Sequence, residues 1–511
     1  MGYQVNNKRI AKNTLLLYFR MVFLMLISLY TSRVVLNALG VVDYGLYNVV
    51  GGVVTLFSLI SGSLSTSISR FLAYSLGRNE TDRLTSIFST SLNIQIILSL
   101  VIILLAETIG LWFLNTKMTI PVERLTAANW VFHFSILTFV INLISIPYNA
   151  VIISHEKMSA FAYISIVEAT GKLLISYLIV INPFDRLVYY ALLIAILSII
   201  IRFIYSIYCK KHFSEARYKF LIDKSLLREM FGFASWNFLG SSAKILREHG
   251  GNILINLFFD PSVNAARGIA TKVNSTLQGF VSNFMMALNP QITKSCAIQD
   301  YKNMFTLVFR GALFSFYLLF TISLPILLNT HYILVTWLKL VPEYCVIFVQ
   351  LILILAMVDV LSGTLITSIL ATGRVKQYQI AVGTLVLMNI PIGYVVLKMG
   401  FPPQSIFIIS IFISFLALFL RLFMLSNIIP ISRWQYIQQV VLRALTVSAL
   451  SFIIPYYCSR SVNESFVAFV IVTFVSVLST LTVIYFFGLS DKEKHYIINF
   501  VKSKIKKSRK Q

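Results

Sequence analysis

The chain has 511 residues, 58% of them hydrophobic and only 12% charged, whereas a soluble domain carries about 25% charged residues, so a soluble globular protein is excluded. A net charge of +24 would suit a nucleic-acid binder, but the basic residues fall between apolar blocks, where Lys and Arg act as topology signals, so neither DNA nor RNA is an expected partner. The four cysteines, Cys209, Cys296, Cys345 and Cys458, have no CxxC spacing, and neither a zinc site nor a disulfide framework is implied.

Asking each apolar run to span about 20 residues predicts an all-α polytopic membrane protein with about fourteen transmembrane helices. The runs are Asn13 to Ala38, Tyr44 to Leu76, Thr85 to Asn115, Leu125 to Ser154, Ala160 to Val180, Leu187 to Cys209 and Met230 to Phe258. They continue with Ser262 to Thr293, Phe305 to Leu328, Val341 to Ala371, Tyr378 to Leu397, Gln404 to Ser426, Trp434 to Tyr457 and Ser465 to Phe487. Lys8, Arg9 and Lys12 precede a first run too long for the apolar core of a cleavable signal, so it is expected to remain as a helix. Counting basic residues in alternate loops places both termini in the cytoplasm: one set of loops holds most of them, the other only Lys117, Arg124, Arg186, Lys339, Lys398 and Arg460.

The basic connection 210–229 divides the chain into a first lobe, 1–209, and a second, 230–426, followed by two extra helices in 427–487 and a basic cytoplasmic tail, 488–511. Asp43 and Asp260 occupy similar outer turns and give a faint internal echo of the two lobes. The Lys-rich tail, Lys502 to Lys510, reads as a segment lying on anionic lipid.

Charges inside apolar runs carry the functional signal. A lone charge at mid-bilayer costs roughly 2.5 to 3.5 kcal/mol, so such residues normally face a bundle interior or a wet cavity. Lys244 and Arg247 lie one turn apart near the middle of the seventh predicted helix, with Glu248 beside them. Lys172 in the fifth has Glu168 one turn earlier, the order that favours an intrahelical pair. Arg20, Arg202, Arg310, Arg421 and Arg443 sit within about two turns of helix ends, where snorkelling to water is expected. Asp359, Glu168 and Glu248 are candidates for ion coupling; Asp359 has no evident partner along its own helix, and a cation from another helix would account for it equally.

Thr31-Ser-Arg-Val-Val-Leu-Asn-Ala-Leu-Gly, Asp43-Tyr-Gly-Leu-Tyr-Asn, Ser69-Arg-Phe-Leu-Ala and Asn289-Pro-Gln-Ile-Thr-Lys resemble the polysaccharide-transporter branch of the MOP superfamily, the Wzx-type O-antigen flippases. The resemblance implies a V-shaped pair of six-helix lobes around a central cavity that opens alternately to each side of the membrane. It implies a cargo of undecaprenyl-pyrophosphate-linked oligosaccharide, a bacterial inner-membrane location and no cofactor. Membrane lipids, a polysaccharide polymerase and a chain-length regulator are the other expected partners, and the chain is expected to be a monomer. On that architecture Arg33, Arg70, Arg267 and Lys272 join Lys244, Arg247 and Lys172 as candidate ligands of the pyrophosphate. Guanidinium groups can bind phosphate oxygens in pairs, and ammonium groups serve as point charges.

Two other classes compete. A multidrug exporter for organic cations needs an acidic cavity, but the first helix contains no Asp or Glu. A membrane-embedded polymerase or ligase usually presents a large outer loop, and the longest here, around Asn329 to Leu340, is short. There is no GxxxxGK[ST] phosphate loop, and His155-Glu156 is not followed by the second His of HExxH, so no enzymatic activity is expected.

Overall fold

In a computed structural model the first long helix, α1 (Asn7–Thr55), is broken at Gly40, whose φ of 78° and ψ of 170° interrupt the backbone ladder where the sequence separates its first two runs. Glycine adopts this conformation without a Cβ penalty. The structure describes residues 7–55, 58–116, 120–181, 185–219, 223–259, 261–338, 341–491 and 493–494. Asp260 and the basic tail from Lys502 to Lys510 lie outside the described residues.

The helices that follow are α2 (Ser58–Gly77), α3 (Thr81–Leu105), α4 (Leu111–Thr116), α5 (Leu125–Ser154), α6 (Met158–Ile181), α7 (Arg186–His212), α8 (Lys224–Phe258) and α9 (Pro261–Ala297). After them come α10 (Tyr301–Leu328), α11 (Thr330–Leu338), α12 (Cys345–Leu361), α13 (Gly363–Thr372), α14 (Lys376–Leu387) and α15 (Asn389–Lys398). The last are α16 (Ser405–Ser426), α17 (Arg433–Tyr436), α18 (Arg443–Ser461) and α19 (Phe466–Val483). No strand occurs among the described residues, and the expected all-α polytopic membrane fold is the one observed.

Among the described residues, eleven helices are long and apolar enough to cross a membrane. Each coincides with one of the predicted runs. The predicted second, seventh and eighth runs are also helical, but α2, α8 and α9 are too polar to belong to that group. Backbone groups inside a bilayer must be paired within the segment, so helices persist there even where side chains are polar.

The helices pack as two units. The first comprises 1–242, 286–304 and 368–380, and the second 243–285, 305–367 and 381–511. The first is built on a core that includes Ile68, Phe88, Phe132, Ile152 and Leu187, all fully or almost fully buried. At one end of it Arg124 joins α1, α5 and α7, pairing with Asp43 and, at 2.6 Å, with Asp185. At the other end Glu156, in the turn between α5 and α6, adopts a left-handed φ of 59°. That conformation costs a non-glycine residue of order 1–3 kcal/mol and persists only where surroundings hold it.

Three side chains are part of those surroundings. Lys294 Nζ donates to Glu156 Oε1 at 2.6 Å, Gln291 Nε2 donates to Oε2, and Asn13 Nδ2 donates to the Glu156 carbonyl at 3.1 Å. Lys294, expected to be a loop charge, is therefore a buried one. In the second unit α12 packs on α16, and the Tyr436 hydroxyl donates to the Leu361 carbonyl at 2.6 Å. The α19 end reaches α10 through Tyr317, which donates to the Gly488 carbonyl at 3.2 Å, and through an Arg310–Glu493 ion pair at 2.9 Å.

Candidate functional site

The three polar helices identify the functional surface. On α9 the exposed residues are Ala265, Gly268, Thr271, Lys272, Ser275, Thr276 and Ser282. Their spacing of three, four and seven places most of them on one face of the helix. No large apolar side chain is exposed among the described residues of α9. A face of small and hydroxylated residues gains nothing from lipid tails and must meet water or a polar ligand. Ser275 and Thr276 donate to the Lys272 carbonyl at 2.9 and 3.0 Å, which satisfies their hydroxyls locally. The Lys272 ammonium itself is exposed and has no acceptor among the described residues.

Helix α8 has two exposed faces of opposite character. Leu239, Leu246, Ile253 and Leu257 form an apolar stripe, each more than half exposed. Ser241, Lys244 and Glu248 form a polar stripe on the opposite side. One side is dressed for lipid and the other for water. The Lys244 ammonium, like that of Lys272, has no acceptor among the described residues. Within the described part of α2 the least buried face runs through Ser61, Gly62, Ser65, Thr66 and Ser69, again without a large apolar residue.

The other candidates divide into anchors and a separate group. Arg247, with a side chain only 11% exposed, donates to Asp359 Oδ2 on α12 and to Ser414 Oγ on α16, each at 3.3 Å. Asp359 is thus paired across helices. Arg267 is 8% exposed, donates to the Glu248 carbonyl on α8 at 2.9 Å and lies 5.3 Å from the Phe407 ring centre. A Cβ at Gly251 would run into its guanidinium, so glycine there makes the approach possible. Glu248 accepts from Arg267 through its backbone carbonyl, and its exposed carboxylate makes no ion pair with Lys244 among the described residues.

In the first unit Arg70 lies 4.7 Å from the Phe71 ring, 5.1 Å from Tyr74 and 5.4 Å from Phe233, and donates to the Ala371 carbonyl at the end of α13 at 3.2 Å. This is a cation at a helix C-terminus, a favourable place for it. Arg33 is exposed on α1 on the same face as the exposed Leu26 and Tyr30. Lys172 Nζ bonds Glu168 Oε1 at 2.6 Å, as the spacing of four predicts. That pair lines a cavity of about 390 Å³ inside the first unit, between α1 and α6.

The snorkelling expectation is corrected at Arg421, which is only 9% exposed and donates to Ser362 Oγ at 3.1 Å. Arg202 covers the Tyr148 ring at 3.9 Å, and Arg20 lines the cavity. Distance from a helix end says how far a side chain must reach, but the direction it leaves the helix decides whether it can.

The sequence pattern of a family described as "Polysaccharide biosynthesis protein" matches residues 10–296, more than half of the chain. The chain belongs to that family. Among solved structures, this polysaccharide-biosynthesis family chain is similar to an outward-facing multidrug resistance MATE transporter of the MOP superfamily, with a TM-score of 0.71 at 11% identity over 82% of this chain and 96% of the other. It is also similar to a MATE protein in a bent conformation, with a TM-score of 0.71 at 10% identity over 86% and 97%. A third is a MOP superfamily transporter from Pyrococcus furiosus, described as having a binding pocket of reversed polarity that suggests a different function. It aligns with a TM-score of 0.68 at 10% identity over 82% and 95%. Identities this low establish the fold, that of MATE transporters, and leave the cargo open. Among curated proteins none matches the sequence of this family member.

Proposed function

We propose that the protein is a flippase that moves undecaprenyl-pyrophosphate-linked oligosaccharide across the bacterial inner membrane by alternating access, for the biosynthesis of a surface polysaccharide. The observation that carries this reading is the exposed face of α9, which is small and hydroxylated with Lys272 as its only charge, supported by the polar stripe of α8 with Lys244. A glycan needs a hydrated path with scattered hydroxyls, and a diphosphate needs positive charge that the protein has not already neutralised. Lys244 and Lys272 meet that condition. Arg247, Arg267 and Arg70 serve to hold the helices that present them. No bond is broken, and the isoprenoid tail can stay in lipid. The basic loops orient both termini toward the cytoplasm.

The MATE-type fold also suits an exporter of organic cations. Lys272 and Lys244 on the polar faces would repel such a cargo, and α1 between Asn13 and Ala38 offers it no carboxylate. Reconstitution into liposomes with a fluorescent undecaprenyl-pyrophosphate disaccharide tests the reading. Wild type should carry the probe between leaflets, and the Lys244→Gln, Lys272→Gln double variant should lose at least about a hundredfold in rate, two charge-assisted phosphate contacts of roughly 1.5–3 kcal/mol each being removed. Wild-type rates in the double variant at equal abundance would exclude these lysines. Transport of a cationic dye with no transport of the lipid-linked probe would favour the exporter.

A further inference from the structure

The basic connection after α7 is not a free linker where it leaves that helix. A short turn, Ser214–Ala216, folds the chain back so that Phe213, Glu215 and Ala216 are buried in the first unit. Three contacts fasten it. The His155 ring stacks on Phe213 with centres 4.4 Å apart and pairs with Glu215, the Tyr218 hydroxyl donates to Asn93 Oδ1 on α3 at 2.9 Å, and the Lys219 backbone N–H donates to Ser89 Oγ at 3.1 Å. The side chains of Lys210, Lys211, Arg217 and Lys219 are exposed, and none has an acceptor among the described residues. The one acid within 210–219, Glu215, is engaged by His155. A loose linker would spread four like charges apart, whereas a fastened strap holds them together against their mutual repulsion.

The cations adjoin a surface suited to acyl chains. Ile196, Phe203 and Ile207 on α7 are 42, 62 and 64% exposed, and steps of seven and four place them on one face, which Lys210 continues about one turn beyond Ile207. A soluble phosphate or a nucleic acid would use the cations and leave the stripe bare; a zwitterionic lipid would use the stripe and leave the cations uncompensated. We infer that the end of α7 and the strap that follows it form a binding site for an anionic phospholipid. Its acyl chains lie along Phe203 and Ile207, and its phosphate is received by Lys210 and Lys211, with Arg217 and Lys219 adding to the positive field. By the count of basic loops this end meets the cytoplasmic leaflet, where anionic lipid is concentrated. Lys244 and Lys272 take no part in this site, which goes beyond the flippase reading and holds whatever the cargo.

Native mass spectrometry of the detergent-solubilised full-length protein, titrated with phosphatidylglycerol, tests it, with phosphatidylcholine of the same chains and glycerol 3-phosphate as comparators. Phosphatidylglycerol should be retained saturably and phosphatidylcholine at least about fivefold more weakly, while glycerol 3-phosphate at equal concentration should not displace the lipid. Lys210→Gln combined with Lys211→Gln should weaken retention about thirtyfold, at about fivefold for each charge near the headgroup. Tyr218→Phe removes no charge and only unfastens the strap from Asn93; it should weaken retention roughly threefold, the scale of a neutral hydrogen bond, and carries the test alone if the double variant does not fold. Lys224→Gln combined with Arg228→Gln, an equal loss of charge beyond the strap, should retain the lipid as wild type does. Equal retention of the two lipids, displacement by glycerol 3-phosphate, indifference to the substitutions at Lys210, Lys211 and Tyr218, or an equal loss in the Lys224 and Arg228 variant would each overturn the assignment. Retention with the expected dependence in a protein that fails to transport the lipid-linked probe would remove the flippase reading and leave the site standing.

Discussion

Lys244 and Lys272 end in exposed ammonium groups, whereas Arg247 and Arg267, close by on the same two helices, are buried and tied to neighbouring segments. All four are cations inside helices of one bundle, and depth along the helix does not separate them. Rotation about the helix axis does. A guanidinium with several donors in a planar fork can satisfy two or three acceptors at once, as Arg247 does with Asp359 and Ser414. An ammonium left on a hydrated face keeps its charge available for a ligand. The same contrast recurs in the first unit between Arg70, held among rings and a helix-terminal carbonyl, and Arg20, which covers a ring and makes no hydrogen bond among the described residues.

The buried limit of this contrast should show the largest effect. Lys294→Ala removes a buried ion-pair partner of the Glu156 carboxylate and is expected to destabilise the folded protein by about 3–5 kcal/mol, read as a lowered midpoint of unfolding in detergent. A Lys294→Ala protein with the wild-type midpoint would mean that Glu156 is satisfied without it. Next comes Arg247→Ala, expected to cost about 1–3 kcal/mol because Asp359 is only partly exposed and loses its partner. Lys244→Gln, one turn away, should leave the midpoint unchanged while slowing transport; equal destabilisation by the two substitutions would erase the distinction between anchor and ligand.

The smallest effect concerns the turn around His155. Burial pushes the Glu215 carboxyl up, but the hydrogen bond from His155, its own backbone N–H and Ser214 outweigh burial and hold it below the ordinary carboxylate range. A carboxyl lowered by folding contributes stability above its unfolded pKa and loses it as pH falls through the folded value. Acidification below the ordinary carboxylate range should therefore lower the wild-type midpoint more than that of Glu215→Gln. Parallel curves for the two proteins would show that this contact contributes nothing.

The bundle was legible because apolar runs of membrane length are a one-dimensional signal, and the kink at Gly40 was legible as a gap between two of them. The candidate cations could be listed by depth, yet only Lys172 could be paired in advance, since its partner Glu168 lies on its own helix. Asn289-Pro-Gln-Ile-Thr-Lys stood out as a motif, while its use, Gln291 and Lys294 closing on Glu156, joins residues far apart in the chain. No spacing rule announces such a contact. Nor could Arg20 be told from an interfacial anchor, because the cavity beside it is completed by residues of α6 and α7 far from α1 in the chain.

Hydropathy and charge order along the chain were enough to establish a polytopic helical membrane protein, because the bilayer imposes length and apolarity on every segment independently of its neighbours. Which cations hold helices together and which remain available to a ligand was settled by packing. A side chain's partners depend on the azimuth of its helix and on what the facing helix presents, and both are set when the helices dock.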